Sequence, residues 1–185
     1  MTLAILRSAV ATRIRRFSGD QRAVSAVEFS ILLPLMITLY LGGVEVSQAV
    51  SADRKNMMVA HTIGDLVSQV STVSNADMTN ILNAGSAVAY PFPASNLTIT
   101  VSSVTIDATG KATVAWSDTL NGTKRTGVVT SLIPAALRTP NTSVIWAEAY
   151  YVYRPTIGWV ITGSLTLSDK VYLRPRLSSS VARTA

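Results

Sequence analysis

The run AVSAVEFSILLPLMITLYLGGV, residues 23–44, constrains this chain more than any other stretch. It is 22 residues long and holds one charge, Glu28. About 20 apolar residues in helical form cross a hydrocarbon core, so the run is long enough to span a membrane. Pro34, Gly42 and Gly43 lie inside it. Membrane helices tolerate both residue types, which mark a kink or close packing against a neighbouring helix. A cleavable secretory signal is the rival reading, because SQA or AVSA in the following VEVSQAVSADRKN fits a small-x-small cleavage site. Its apolar region is normally shorter, about 7–15 residues.

Charge orients the span. Arg7, Arg13, Arg15, Arg16 and Arg22 precede it against Asp20 alone, whereas the 162 residues from Val24 onward hold eleven basic and nine acidic side chains. The pI near 10.0 therefore belongs mostly to a short head. Positive-inside bias places that head in the cytoplasm and the body across the membrane. No stripe of basic residues interleaved with aromatics remains, so nucleic acid is not an expected partner. Cysteine is absent, which excludes disulfides and cysteinate metal sites.

The expected domains are a basic cytoplasmic leader (1–23), a transmembrane helix (24–45), an amphipathic helical segment (46–89) and a β-rich extracytoplasmic part (90–185) packing on the helix. Val46, Val50, Met57, Met58, Ile63, Leu66, Val67, Val70 and Val73 recur at helical spacing. One helix from Val24 to Ser71 would be about 70 Å long at 1.5 Å per residue. A span followed by a separate soluble helix is the alternative, with the polar break at residues 53–56. The tetrad SNAD, residues 74–77, ends the first helix and caps a second over Met78–Ala87.

Beyond Tyr90 the texture is β. Strands are expected at Leu97–Ile106, Ala112–Ser117, Ser143–Pro155 and Gly158–Ser168, with a short last one in Lys170–Arg176 before a Ser/Ala-rich tail. DATGK and Asn121-Gly122 read as turns, and Val128–Leu137 as a short helix or irregular crossover. Helices followed by strands give an α+β fold, a long N-terminal helix packed against a small antiparallel sheet.

Glu28 is the costly residue. A carboxylate at the centre of a span costs roughly 2.5–3.5 kcal/mol on insertion scales. From spacing alone it is an interfacial group that snorkels, a neutral carboxyl, or a carboxylate with a cationic partner. The surrounding residues add a resemblance. AVSAVEF followed by an apolar run resembles the processing site of type IV prepilins, and RAVSAVEFSILLPLM resembles the N-terminus of TadE/TadG-like minor pseudopilins of Flp (Tad) pilus systems. The closing AEAYYVYRP and YLRPR resemble the C-terminal end of the same family.

That resemblance implies a leader cut by a prepilin peptidase between Ala23 and Val24, leaving Glu28 and Phe29 as the fifth and sixth mature residues. The residue before the cut is usually glycine and here is Ala23. Cleavage would create an α-amino group with a reference pKa of about 8. In related pilins the glutamate is thought to pair with that amine on a neighbouring subunit. Opposite charges attract strongly in a low-dielectric medium, and each lowers the other's insertion cost. Subunit association would then use Glu28, Pro34, Gly42 and Gly43. The expected partners are the peptidase, other minor pseudopilins, the pilus assembly machinery and membrane lipid.

Little in the sequence points to catalysis. His61 is the one histidine, Asp107, Asp118, Glu148 and Asp169 are scattered, and no phosphate loop or nucleophile elbow occurs. Neither a metal nor a cofactor is expected, and the chain is not expected to be an enzyme. Tyr150, Tyr151, Tyr153 and Trp159 are either an exposed binding surface or core and cross-strand pairs. Three functions compete: a cleaved minor pseudopilin, an uncleaved single-pass protein whose outer domain scaffolds or binds a ligand, and a secreted enzyme released by signal peptidase. They predict mature N-termini at Val24, at Met1 and near Ser51–Ala52 respectively.

Overall fold

A computed structural model describes residues 21–184. Most of the basic leader, with Arg7, Arg13, Arg15 and Arg16, lies outside the described residues. Helix α1 runs unbroken from Gln21 to Ser68, through Pro34 and through the polar residues 53–56. At 1.5 Å per residue it is about 72 Å long, so the single-helix reading holds.

The packed face of α1 matches the expected one at Ile63 and Val67 and differs from it elsewhere. Ala49, Ala52, Asn56, Val59, Ile63 and Val67 are buried, at steps of three and four, with Ala60 beside them. Val46, Val50, Met57, Met58 and Leu66 are exposed instead. The physical reason is distance: the helix lies close on the sheet, and small side chains permit that approach. A Cβ on Gly64 would stand 3.0 Å from Leu173 Cδ1 and Val171 Cγ1. The larger apolar residues are displaced to a neighbouring stripe.

Strand β1, Thr72–Val73, follows α1 and leads into α2, Asn75–Val88. Ser74 caps α2 by accepting the Asp77 N–H, and the Asp77 carboxylate accepts the Ser74 N–H in return. A 3₁₀ turn at Ala94–Asn96 leads into the sheet, made of β2 (Leu97–Ile106), β3 (Ala112–Leu120), β4 (Thr142–Tyr153) and β5 (Leu165–Leu173). The order is β3-β2-β4-β5 and every pairing is antiparallel. The expected α+β architecture is therefore present.

Alternation along the central strands divides two cores. Leu97, Ile99 and Val101 of β2 and Ile145, Ala147, Ala149, Tyr151 and Tyr153 of β4 face α1 and α2. Val104, Ile106, Val144 and Trp146 face away and are covered by Val129 and Ile133 from the β3–β4 connection. That connection is irregular, with one 3₁₀ turn at Ala135–Leu137. A register shift opposite Ser103/Val104 leaves Ala115 as the extra residue of β3. It sends Trp116 to the helix side while Val114 stays on the other.

Two expectations at the C-terminal end need correcting. Gly158–Ser168 is not one strand. Residues 154–164 form a loop, and β5 begins at Leu165 and absorbs the expected strand at Lys170–Arg176. The amides of Trp159, Val160 and Ile161 are taken by a helix carboxylate, so they do not enter the ladder. The Ser/Ala-rich tail returns under the sheet, where β6 (Ala182–Arg183) pairs in parallel with β1.

Candidate assembly site on the anchor helix

From Val24 to Tyr40 α1 stands clear of the domain. Val27, Phe29, Ile31, Leu32, Leu35, Met36, Leu39 and Tyr40 are all more than half exposed. Such a surface in water would be untenable, and by length and composition this segment is able to cross a membrane. It is a single-pass anchor. Two of its hydroxyls are satisfied locally: Ser30 donates to the Ala26 carbonyl at 2.8 Å and Thr38 to the Pro34 carbonyl at 2.9 Å. Helix is the form that pairs backbone groups without water, and these side-chain bonds extend the same economy.

Each residue singled out in the sequence has a place on this helix. The Ala23–Val24 bond lies within α1, one turn from its start. Glu28 and Phe29 are exposed on the apolar stem. None of the ion pairs among the described residues includes Glu28. Pro34 sits inside the unbroken helix, and Gly43 faces open space. Gly42 is covered within the chain, because a Cβ there would meet Val160 Cγ2 at 2.9 Å.

Where the stem enters the domain, Glu45 does what the sequence did not reveal. It is 1% exposed, and its carboxylate accepts three successive backbone N–H groups. Trp159 donates to Oε1 at 2.6 Å, and Val160 and Ile161 donate to Oε2 at 2.9 and 2.8 Å. The one clue in the sequence is Gly158, whose φ of +69° turns the following amides toward a common point, as in anion-binding nests. One turn further on, Gln48 accepts from the Tyr153 hydroxyl at 3.5 Å, and about three turns on Asn56 Nδ2 donates to the Ala149 carbonyl at 3.0 Å. The helix is thereby keyed to the β4–β5 loop and to the C-terminal half of β4.

The four acids singled out in the body each accept hydrogen bonds within the fold. Asp107 accepts from the Thr109 and Lys111 amides of its own turn. Asp118 accepts from Lys124 at 2.8 Å and from Arg183 at 2.7 Å. Glu148, 2% exposed, receives a bidentate pair from Arg125 at 2.7 and 2.8 Å and the Tyr150 hydroxyl at 2.9 Å. Arg125 lies 4.6 Å over the Trp146 ring, which stacks on Tyr172. Glu148 holds the Arg125 guanidinium above its ordinary value, against burial. Burial, then the same carboxylate, pushes the Tyr150 phenol up. Asp169 accepts from the Lys170 amide, and His61 is exposed on α1. Among the described residues no three His, Asp or Glu side chains form a metal-holding group. Tyr151 and Tyr153 are core residues, Tyr150 is half-buried, and Trp159 is exposed.

The decisive comparison falls on the same helix. Residues 23–55 match the family model described as TadE-like protein. The chain carries a TadE-like segment. No curated protein and no solved structure matches the chain. The TadE-like segment begins at Ala23, the residue before the expected cut, and ends at Lys55, just ahead of the Asn56 bond to β4. It thus comprises the exposed stem, Glu28, the Glu45 junction and the first buried residues of the packed face, Ala49 and Ala52. The match is a likeness of this helical segment alone. It does not extend to the YLRPR ending, whose arginines bind within the fold: Arg176 pairs with Asp65 and Arg174 donates to Thr139 Oγ1 at 2.9 Å.

Proposed function

We propose that this chain is a minor pseudopilin that primes or supports assembly of a Tad/Flp-type pilus. A prepilin peptidase removes the leader between Ala23 and Val24. The stem then holds the protein in the inner membrane, N-terminus inward and β-rich domain in the periplasm, and Glu28 pairs with the new amine of a neighbouring subunit. The observation that carries this reading is a carboxylate exposed on a TadE-like apolar stem that is continuous with a rigidly keyed domain. The exposed stripe of Val46, Val50 and Met57 prolongs the apolar surface of the stem along the domain, where another subunit's helix would lie. The role is structural, not catalytic, in keeping with the structural engagement of Asp107, Asp118 and Glu148.

Intact mass and N-terminal sequencing of the membrane-extracted protein test the proposal. A start at Val24 is expected; a start at Met1 in cells that assemble pili normally overturns it and favours an uncleaved single-pass scaffold. Glu28→Gln should leave insertion intact while co-purification with partner pseudopilins falls. Unchanged co-purification would remove the glutamate from assembly.

A further inference from the structure

The loop of residues 154–164 exposes Ile157, Trp159 and Val160 at 49, 58 and 49%. These are large apolar side chains on a segment that is not free to move, because Glu45 binds its amides and Val160 rests on Gly42. Their height relative to the stem follows from helix geometry. A hydrocarbon core of about 30 Å takes roughly 20 residues at 1.5 Å each. Counted from Ala23, the core ends close to Gly42–Gly43, at the contact with Val160. Tyr40, 72% exposed, lies about half a turn nearer the membrane, and Arg154 is exposed at the start of the loop.

Tryptophan and tyrosine concentrate at the headgroup level, where the ring is apolar and its polar edge stays wet, and a cation there meets lipid phosphates. With the stem inserted, a loop fastened at Gly42–Glu45 cannot avoid the bilayer surface. We propose that residues 157–160 are a membrane-interface foot: Ile157, Trp159 and Val160 enter the headgroup region of phospholipid, giving the domain a second attachment that fixes its height and tilt. Glu45 is the positioning residue, since its carboxylate sets the loop against the stem while the loop's amides take the place of water around it. The proposal rests on the single-pass anchor and goes beyond the pseudopilin reading, which assigns this loop no role.

The test uses the full chain in phosphatidylcholine vesicles, with flotation reporting insertion. Tryptophan emission is compared in lipid brominated near the glycerol end of the acyl chain and in lipid brominated near its terminal methyl. With one tryptophan of three in the interface, roughly a third of the emission should be lost to the shallow quencher, and less to the deep one. Trp159→Phe should abolish that loss, and Glu45→Ala should reduce it while flotation persists. Floating wild-type protein whose quenching is nil, or unchanged in Trp159→Phe, overturns the foot but leaves the anchor standing. Blue-shifted Trp159 emission without quenching overturns it in favour of a second copy of this chain covering the loop. Protein that fails to float overturns the anchor and the foot together.

Discussion

Glu28 and Glu45 are two glutamates on one helix with opposite circumstances. Glu45 receives three amide donors from its own chain, so its charge is solvated by the fold and serves to lock the stem. Glu28 is exposed on the part of the helix that the fold leaves bare, which is why its partner is sought outside the subunit. Glu148 follows the Glu45 logic on the far side of the sheet, with Arg125 as the donor. Removing one member of a buried pair leaves the other charge without compensation, at about 3–5 kcal/mol. Because a third of the Arg125 side chain is exposed, Arg125→Ala should cost about 3 kcal/mol, the low end of that range. Urea denaturation of the detergent-solubilised protein measures it, and a loss under 1 kcal/mol would demote the pair to a surface contact.

At the scale of elements, α1 and the hairpin β4–β5 are the pair that must fit. The small-residue stripe and Gly64 set their separation, with Leu173 and Val171 at 3.0 Å from where a Cβ would stand. Gly64→Leu forces the helix away from the strands and should destabilise by about 1–3 kcal/mol, the usual range for overpacking. A lowered thermal midpoint with pelleting in the membrane fraction unchanged is the expected result. The cap of α2 was readable in advance, because a capping box is a local bond between Ser74 and Asp77 that needs nothing distant. The β5 boundary was not. GWVITGSLTLS carries strand residues throughout, but its first amides are claimed by Glu45, more than a hundred positions earlier.

Across the whole molecule, the C-terminal tail is what closes the sheet against the helices. Val181 is buried, its carbonyl accepts the Trp116 indole N–H at 2.7 Å, and Arg183 joins Asp118, the Val73 carbonyl and Asn75. Burial pushes the Asp118 carboxyl up, but the bonds and charges of Lys124 and Arg183 outweigh it and hold it below its ordinary value. A depressed carboxylate stabilises at pH above its unfolded value and loses that contribution as pH falls through the native one. The tail should therefore be firmly docked at neutral pH and loosen progressively below about pH 4. Hydrogen exchange at residues 181–184, compared at pH 6 and at acid pH after correction for intrinsic rates, is expected to show the change. Equal protection would mean that packing of Val181, and not the Asp118 charge, holds the tail.

The sequence by itself determined the apolar run, the cap of α2, strands β2 to β4 and the α+β order, because each depends on apolar spacing or turn chemistry within a few neighbouring residues. It left one continuous helix and a broken one both open. Only the tertiary structure decided which stripe of α1 is buried, where β5 starts, that the tail forms a parallel strand, and that Glu45 is the lock between stem and loop. Those outcomes turn on how closely a helix can approach a sheet and on which distant group captures a given amide. Neither quantity is written in any one stretch of the chain.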